Sequence, residues 1–293
     1  MKIKKAVIPV AGLGTRFLPY TKAVPKEMLP IVDVPAIHLI VEEAIKSGIK
    51  EILFVTSENK KSIPEYFKKD KKLEKMLKEK GKYKILRELK NVPSDFKASY
   101  IIQKKARGLG DAVLHAEKFA AGDSFAVFLP DDIIFSKKPV MKQMIEAFEK
   151  HKKHVVSVEA VENKMISSYG IIKPKRIEAR IYEILDMIEK PSIKKAYSNL
   201  GIVGRYILPP AIFKYIRATK PGTKGEIQLT DALKEAMNNE GLIAHRFEGD
   251  RCDTGDKYGY ITAVLKYAAM KKEFSLNLKK DIKKIFNLSG KKK

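Results

Sequence analysis

Cysteine is nearly absent from the sequence, since Cys252 is the single one among 293 residues. One cysteine excludes an internal disulfide framework and is typical of proteins from a reducing compartment. Zinc-site spacing is also missing, because the closest candidate ligands, His151 and His154, are flanked by lysines. No apolar run reaches the length of a membrane span, and Met-Lys-Ile-Lys-Lys leads into an apolar strand without a signal-peptide core. These absences predict a cytoplasmic protein with no membrane partner.

Linkers and repeats are missing as well. No stretch is rich in glycine, serine and proline, and no segment of the sequence recurs. A chain of 293 residues with 44% hydrophobic residues is long enough for one α/β domain with a full core. We therefore predict one continuous domain over residues 1–273, followed by a basic C-terminal helix and tail over residues 274–293.

Acidic residues are few relative to basic ones, with 35 Asp and Glu against 59 Lys and Arg, which gives a net charge of +24. Such a charge can indicate nucleic-acid binding. The lysines, however, are scattered, alternate with acids and have no accompanying ladder of aromatic residues. They occur as pairs at Lys60-Lys61, Lys68-Lys69, Lys71-Lys72, Lys104-Lys105, Lys152-Lys153, Lys194-Lys195 and Lys271-Lys272. We interpret them as solvated helix faces and predict no specific nucleic-acid partner.

Strand and helix patterns alternate in the first half of the chain. Near-continuous apolar runs predict strands at 4–10, 51–56, 98–103 and 125–129, and amphipathic spacing predicts helices at 36–47, 62–80, 111–121 and 139–151. Repeated β-α units of this kind favour an α/β fold with a doubly wound, mostly parallel, Rossmann-like sheet. Short strands then follow at 155–160, 170–173, 181–188 and 201–208. They predict a smaller, mixed sheet portion, completed by helices near 227–238 and 257–272 and a strand near 242–247.

A glycine-containing loop follows the first predicted strand, in the run Val10-Ala11-Gly12-Leu13-Gly14-Thr15-Arg16. Glycines directly after a strand let the backbone approach a ligand and present N–H groups to anionic oxygens. Arg16 and Lys26 add positive charge nearby. The loop is not a dinucleotide fingerprint, because Phe17 replaces the third glycine, and no Walker sequence occurs. The combination of backbone donors and cations predicts binding of a triphosphate.

Two more polar residues follow predicted strands, Gln103 after one and Asp131 after the next. In an open parallel sheet, ligands bind outside the carboxyl ends of the strands. We therefore expect the glycine loop, Gln103 and Asp131 to meet at one crevice.

The run from Val10 through Pro30, with its Pro-Lys-Glu-Met-Leu-Pro ending, resembles the motif of the sugar-phosphate nucleotidyltransferases. In this form it is similar to the bacterial and archaeal UTP–glucose-1-phosphate uridylyltransferases. Further matches follow in the order of the family, at residues 103–113, 129–132, 189–191, 199–206, 225–232 and 252–260. The resemblance covers residues 3 to about 270. It implies transfer of a uridylyl group from UTP to glucose 1-phosphate, with a sibling enzyme that uses dTTP or another sugar phosphate as the alternative.

The resemblance also implies a magnesium site and a set of phosphate-binding cations. Asp131 and Asp253 match the two metal-binding aspartates of the family, and Mg²⁺ prefers one or two carboxylates together with phosphate oxygens. Arg16 and Lys26 would grip the β- and γ-phosphates, and Lys190 would hold the sugar phosphate. Because the reactants are polyanions, charge neutralisation and alignment are the main tasks of such an enzyme.

The remaining implied contacts divide between the nucleotide and the sugar. The nucleotide would be bound by Ala11, Gly12, Gly14, Thr15, Gln103 and Gly108. The sugar would be bound by Gly170, Glu189, Val203 and Glu226. For Glu226, a role as a first-turn helix acid is an equally good interpretation. A glutamine amide both donates and accepts, so Gln103 can pair with the edge of uracil.

Some positions stay open at this stage. Asp132 and Asp256 lie beside the proposed metal ligands, and we interpret them as loop caps. Many relatives carry lysine where this chain has Val34, which leaves open whether this position contacts a phosphate. A non-catalytic relative could have lost Arg16 or Asp131, yet both are present. The family further implies a homodimer or homotetramer.

Overall fold

A nine-stranded sheet forms the centre of the protein in the computed structural model, which describes residues 2–222 and 225–286. Two short pairs, β2 with β3 and β7 with β13, lie outside this sheet. The strands of the described residues are β1 (Lys5–Pro9), β2 (Pro30–Ile31), β3 (Val34–Pro35), β4 (Glu51–Thr56), β5 (Lys97–Ile102), β6 (Phe125–Phe128), β7 (Asp132–Phe135), β8 (His154–Ala160), β9 (Gly170–Arg176), β10 (Ile181–Glu189), β11 (Leu200–Leu208), β12 (Leu242–Arg246) and β13 (Asp250–Asp253).

Helices cover both faces of this sheet. They are α1 (Ala36–Lys46), α2 (Ser62–Phe67), α3 (Lys71–Glu79), α4 (Tyr83–Lys90), α5 (Leu109–Leu114), α6 (Glu117–Ala120), α7 (Val140–His151), α8 (Ile212–Ala218), α9 (Leu229–Glu240), α10 (Lys257–Met270) and α11 (Lys272–Ile285). Short 3-10 helices lie at Thr15–Phe17, Tyr20–Lys22, Lys26–Met28, Asn163–Ser168 and Ile193–Lys195. Among the described residues, no helix combines the length and the apolar character that a membrane span requires.

The strand order is β5-β4-β1-β6-β11-β8-β12-β10-β9. The first four strands are parallel, which brings their carboxyl ends to one edge. β1 and β6 are almost wholly apolar because helices bury both of their faces, whereas β5 lies at the sheet border and has exposed side chains. This half is the parallel α/β arrangement that the sequence predicts.

The second half continues the same sheet with mostly antiparallel pairs. β11 runs antiparallel to β6 and joins the two halves, and β8 and β12 form the one parallel pair on this side. The predicted fold class is thus confirmed, and the mixed portion is continuous with the parallel one instead of forming a separate sheet. β11 is buried along its whole length because it lies in the middle of the nine strands.

Two apolar cores lie on opposite faces of the sheet. One packs α1 and α7 against the strands through residues such as Ile37, Ile40 and Met144, and the other packs α5, α8 and α9 through Val113 and Phe213. Large apolar side chains on both faces are what a sheet covered by two helix layers requires.

Several local predictions need correction. The helical segments predicted near 62–80 are α2 and α3, which are separate because Asp70 caps the start of α3 by accepting a hydrogen bond from the Leu73 N–H at 2.9 Å. α4, α8 and the short pair of β7 with β13 were not predicted. α11 matches the predicted basic C-terminal helix, whereas Leu288 and residues 291–293 of the predicted tail lie outside the described residues. The division at residue 273 stays a prediction.

His245 in β12 makes stability sensitive to acid. It is 7% exposed, and its Nδ1 has no partner among the described residues. Burial, and to a lesser extent the charge of Arg180, lowers the pKa of His245 from 6.5 to about 4. Between these two pH values, His245 therefore binds a proton in the unfolded chain but stays largely neutral in the folded protein. The stabilising effect is complete above pH 6.5 and is lost as the pH falls toward 4.

We expect this histidine alone to lower the free energy of unfolding by roughly 3 kcal/mol between about pH 8 and about pH 4. Urea denaturation of the wild type and of His245→Leu at both pH values measures it. The variant should lose that much less stability on acidification. Equal losses in the two proteins would show that His245 does not titrate in this window.

Candidate active site

The glycine loop follows β1 at the carboxyl edge of the parallel strands. The Val10 N–H donates to the Val55 carbonyl at 2.7 Å, which extends the β1–β4 ladder up to the loop. Gly14 has a φ of +66°, a left-handed conformation in which a Cβ would lie 3.2 Å from the Cβ of Lys26. Glycine is therefore required at this turn, and it starts the 3-10 turn that contains Thr15 and Arg16.

A buried lysine fixes this loop. The ammonium of Lys60 donates to the Gly12 carbonyl at 2.7 Å and to the Glu27 carboxylate at 2.7 Å. Lys60 is 8% and Glu27 is 2% exposed, so burial lowers the pKa of Lys60 and raises that of Glu27. The pair joins the glycine loop to the Pro-Lys-Glu-Met turn. The interpretation of Lys60 as a solvated lysine is wrong, since the side chain is buried and paired. The local sequence gives no sign of this pairing, because Glu27 lies 33 residues away.

Two acidic turns meet where β7 pairs with β13. The first contains Asp131 and Asp132, and the second contains Asp253 and Asp256. The pairing sets Asp132 opposite Asp253. Thr254 closes the junction, since both its N–H and its hydroxyl donate to the Asp131 carbonyl, at 2.7 and 2.9 Å. Asp131 and Asp253 are far apart in the sequence, since Thr254 and Asp131 are 123 residues apart, and these contacts hold the two segments together.

Arg16 reaches the same point. A Cβ placed on Gly255 would lie 2.8 Å from Oδ1 of Asp253, 3.1 Å from Oδ2 of Asp131 and 3.2 Å from a guanidinium nitrogen of Arg16. Arg16 also donates to the Gly255 carbonyl at 3.2 Å. Any side chain at residue 255 would fill the space between these charges, so a glycine keeps that space open.

The charges of this cluster shift one another's pKa. Burial disfavours the ionised form of Asp131, but the Lys26 ammonium at 2.6 Å outweighs it and holds the pKa of Asp131 below its usual value. Burial likewise disfavours charged Lys26, yet Asp131 and Glu27 hold its pKa above the ordinary one. Burial, then the charges of Asp132 and Asp131, raise the pKa of Asp253 to about 6. The cluster has excess negative charge at Asp253, which a cation would relieve.

Arg251 is a site residue that the sequence did not reveal. Its guanidinium bonds Asp132 at 2.5 Å and Glu159 at 2.6 Å, and it lies 3.4 Å from Asp253. It also lies over the ring of Tyr169, 5.2 Å from the centroid. Although burial opposes the charge, the carboxylates of Asp132 and Glu159 raise the pKa of Arg251. Arg251 therefore stays charged and neutralises part of the acidic cluster.

Arg205 supports the first acidic turn from beneath. It is fully buried in β11 and pairs with Glu43 of α1 at 2.6 Å. The same guanidinium donates to the carbonyls of Asp132 at 2.8 Å, Gly204 at 2.9 Å and Leu129 at 3.4 Å. A single buried cation thus fixes the backbone on both sides of Asp131.

A pocket of about 270 Å³ opens beside these turns. The predicted site residues that line it are Arg16, Asp131, Gly170, Glu189, Lys190, Val203 and Asp253. Its far side is formed by the ends of β9, β10 and β11, where the Lys190 N–H donates to the Tyr169 carbonyl at 3.0 Å. Glu189 accepts a hydrogen bond from the Thr230 hydroxyl at 2.8 Å, and a Cβ on Gly170 would lie 3.1 Å from the same carboxylate oxygen.

The other predicted residues lie outside this pocket. Ala11, Gly12, Gly14 and Thr15 form the loop next to it, and Gln103 lies at the end of β5. Gly108 has a φ of +92° and precedes α5, with the Cβ of Glu226 3.0 Å from where a Cβ of Gly108 would be. Glu226 accepts a bond from Gln228 at 2.9 Å and comes before α9, which begins at Leu229, so it is not a first-turn acid.

The two aspartates interpreted as caps have different roles. Asp256 is the N-cap of α10 and accepts a hydrogen bond from the Gly259 N–H at 2.9 Å, as expected. Asp132 does not cap a loop. It is buried, accepts from the Gly204 N–H at 2.7 Å and pairs with Arg251. Cys252 is buried between these turns, and burial raises the pKa of its thiol, which does not favour a nucleophile.

The donor set fits a cation that takes few protein ligands. Among residues 2–222 and 225–286, no cluster of three or more histidine, cysteine, aspartate or glutamate side chains could hold a metal. Asp131 and Asp253 supply two carboxylates that line the same pocket. Mg²⁺ is commonly bound by one or two carboxylates and completes its octahedron with water and phosphate oxygens. A magnesium ion brought by a nucleotide fits this pair, whereas a metal bound by protein ligands alone does not.

Comparison with known proteins identifies the relatives. Residues 5–270 match the family model of the nucleotidyl transferases. UTP–glucose-1-phosphate uridylyltransferase 2 of Staphylococcus saprophyticus is 45% identical over 284 residues, 97% of this chain and 98% of the relative. UTP–glucose-1-phosphate uridylyltransferase YngB of Bacillus subtilis is 46% identical over 277 residues, 94% of this chain and 93% of the relative.

Solved structures agree with these sequence matches. A UDP-glucose pyrophosphorylase complexed with UDP-glucose is 42% identical, with a TM-score of 0.84 over 92% of this chain and all of that one. A UTP-bound enzyme of the same name from Acinetobacter baumannii is 37% identical, with a TM-score of 0.89 over 96% of this chain and 98% of that one.

Proposed function

The chain belongs to the nucleotidyl transferase family, and we propose that it transfers the uridylyl group of UTP to α-D-glucose 1-phosphate. The products are UDP-glucose and pyrophosphate. Relatives at 45% and 46% identity over nearly the full length carry the name of this activity. The observation that carries the proposal is the single pocket on which Arg16, Asp131, Asp253 and Lys190 all lie.

The reaction is a direct displacement at the α-phosphorus. An oxygen of the sugar phosphate attacks, the bond to pyrophosphate breaks, and no covalent enzyme intermediate is needed. Both reactants are anions, so alignment and charge neutralisation lower the barrier. Lys26, whose pKa lies above its usual value, stays protonated at neutral pH and can hold a β- or γ-phosphate oxygen together with Arg16.

We infer that Asp131 and Asp253 hold a Mg²⁺ ion. When bound, the ion would neutralise charge on the phosphates and favour the departure of pyrophosphate. The carboxylates must be ionised for this role. Asp131 already is, because Lys26 pairs with it, and a neighbouring cation would lower the pKa of Asp253 from its value of about 6.

The sugar side of the pocket is formed by the ends of β9 and β10. Glu189 is positioned by Thr230 and can accept hydrogen bonds from sugar hydroxyls. Gly170 leaves space against that carboxylate. Lys190 is half-exposed, has a left-handed backbone with a φ of 47°, and bonds Glu189 at 3.3 Å. It can swing to the phosphate of the incoming sugar.

Lys190→Ala should weaken the use of glucose 1-phosphate, with a KM for the sugar phosphate raised by about tenfold to a hundredfold, the value of one charge-assisted contact. The KM for UTP should change little. Initial rates with each substrate varied in turn measure both constants, and Lys194→Ala, on the nearby turn Ile193–Lys195, is the matched control. An effect confined to the KM for UTP would reverse the assignment of the two subsites.

The base would bind near Gln103 and the backbone around Gly108, with the loop Ala11–Thr15 beside the ribose and phosphates. Gln103, the end of β4 and the glycine loop are neighbours at the carboxyl edge, because β5, β4 and β1 are adjacent. Val203 in β11 and Glu226 beside Gly108 complete the proposed set. Val203 lines the pocket. Glu226 would reach the sugar from the nucleotide side, since it lies beside Gly108.

The nucleotide is tested by measuring pyrophosphate release from glucose 1-phosphate with UTP, dTTP, ATP, CTP and GTP side by side, with and without Mg²⁺. Strong preference for UTP is the expected result. Preference for dTTP would keep the fold and the reaction but make the protein a thymidylyltransferase. No release with any nucleotide, from a folded protein, would contradict transfer to glucose 1-phosphate.

The proposal includes a cytoplasmic location, since UTP and sugar phosphates are metabolites of that compartment, and a homodimer or homotetramer. Exposed apolar side chains on the two C-terminal helices support association. Tyr258 and Leu276 are each 81% exposed, and Ile261 is 54% exposed. Light scattering on the purified protein gives the mass, and a monomer would contradict this part.

A further inference from the structure

Gln103 is held in one orientation. Its backbone N–H continues the ladder past β5 by donating to the Thr56 carbonyl at 2.8 Å, and the residue is 6% exposed. Its side-chain Nε2 donates to Oδ2 of Asp111 at 2.6 Å. A carboxylate only accepts hydrogen bonds, so the nitrogen of the amide must face Asp111 and the oxygen must face away.

Asp111 is itself fixed. It lies in the first turn of α5, and its side chain is 13% exposed. The helix is tied down at this end because the Gly110 N–H donates to the Ile227 carbonyl at 2.9 Å. The imidazole of His115, one turn later, is 3.9 Å from the same carboxylate oxygen. Asp111 is therefore a rigid acceptor that selects one of the two amide orientations of Gln103.

The outward oxygen of Gln103 is available to a ligand. Within residues 2–222 and 225–286, Oε1 of Gln103 accepts no hydrogen bond from the protein, and it is not among the buried atoms that lack a partner. It is thus an acceptor with some access to solvent on a side chain that is otherwise buried. An acceptor in a fixed direction distinguishes ligands that donate at that point from ligands that do not.

We propose that Asp111 is a positioning residue that sets the choice between uracil and cytosine. The N3 atom of uracil carries a hydrogen and can donate to Oε1 of Gln103, whereas N3 of cytosine is an acceptor and is repelled by that oxygen. Turning the amide would reverse the preference, and Asp111 prevents the turn. The inference rests on the proposed function, because it requires the base to lie at Gln103. It makes no distinction between uracil and thymine, which share the N3 hydrogen.

A purely structural role for Asp111 would have different consequences. Acids in the first turn stabilise a helix through its dipole, and loss of that effect lowers stability without a change in base preference. Glu65 is likewise an acid in the first turn of a helix, α2, which like α5 is six residues long. Glu65→Gln is therefore the matched control for the loss of a first-turn acid.

The test compares kcat/KM for UTP and CTP, each with glucose 1-phosphate, in the wild type, Asp111→Asn, Asp111→Ala and Glu65→Gln. Asparagine has the shape of aspartate but can also donate, so it permits both orientations of the Gln103 amide. The ratio of kcat/KM for UTP to that for CTP should fall by about tenfold or more, the size of one net hydrogen bond. The change should lie mainly in the two KM values, and Glu65→Gln should keep the wild-type ratio.

Asp111→Ala removes the acceptor altogether and should lower the ratio at least as far, which keeps the test informative if one variant is unstable. Thermal melting shows that each variant is folded. A wild-type ratio in folded Asp111→Asn and Asp111→Ala would overturn the inference while leaving uridylyl transfer intact. A wild type that does not use UTP would overturn the proposed function itself, so the two failures are distinguishable.

Discussion

Asp131→Asn should lower turnover by about a thousandfold or more while the fold stays intact, because catalytic charges and metal ligands commonly contribute several kcal/mol to the transition state. The change removes the carboxylate charge that pairs with Lys26 at 2.6 Å and lies beside Asp253 at Gly255. The backbone contact is retained, because Thr254 donates to the main-chain carbonyl of residue 131 and not to the side chain. Steady-state pyrophosphate release and circular dichroism measure the two quantities.

Asp256→Asn is the matched control for this variant. Asp256 is one of the acids near the site, but its carboxylate caps α10 through the Gly259 N–H. Asparagine is an equally good N-cap, so stability and turnover should both stay close to those of the wild type. If Asp131→Asn and Asp256→Asn behaved alike, the assignment of Asp131 to the metal and the reaction would be wrong.

Arg205→Met should lower the free energy of unfolding by about 3–5 kcal/mol, the usual cost of removing one partner of a buried ion pair. Arg205 has no exposed surface. Its loss leaves the Glu43 carboxylate without its paired cation and removes a hydrogen-bond donor from each of the carbonyls of Asp132 and Gly204. Urea denaturation of the two proteins gives the difference.

A second substitution separates the buried charge from the packing. Glu43→Leu in the Arg205→Met background replaces the ion pair by apolar side chains and should recover part of the lost stability, since an unpaired buried charge is the larger penalty. Asp95→Asn, at an exposed pair with Lys50, is the control and should cost less than about 1 kcal/mol. A loss below about 1 kcal/mol in Arg205→Met would contradict the role of Arg205 in holding the acidic turn.

Most of the parallel half of the sheet is predictable from local sequence because β1, β4 and β6 are nearly continuous apolar runs. β4 has the predicted bounds, and β1 and β6 differ from the prediction only at their ends. β7 and β13 are less visible. They have four residues each, and they form only because chain segments more than a hundred residues apart pair with each other. A sequence pattern carries no information on such a pairing.

The same limit applies to the site. The sequence predicts that the glycine loop, Gln103 and Asp131 meet at one crevice, and the family resemblance pairs Asp131 with Asp253. The structure brings Arg16, Asp131 and Asp253 around Gly255, whereas Gln103 does not line their pocket. The buried cations that support them were not predicted. The sequence around Lys60 and Arg205 does not show which carboxylate each one pairs with. The partner of Lys60 is 33 residues away, and the partner of Arg205 is 162 residues away. Their roles depend on long-range ion pairs that only the folded chain creates.

The central claim is the direct transfer of a uridylyl group, and UTP labelled at the α-phosphorus tests it most directly. The protein is incubated with this UTP, glucose 1-phosphate and Mg²⁺, and the products are separated and counted. The account predicts that the label enters UDP-glucose, with one unlabelled pyrophosphate released for each UDP-glucose formed and no label retained on the protein. Label found only in UMP, or bound covalently to the chain, would contradict it.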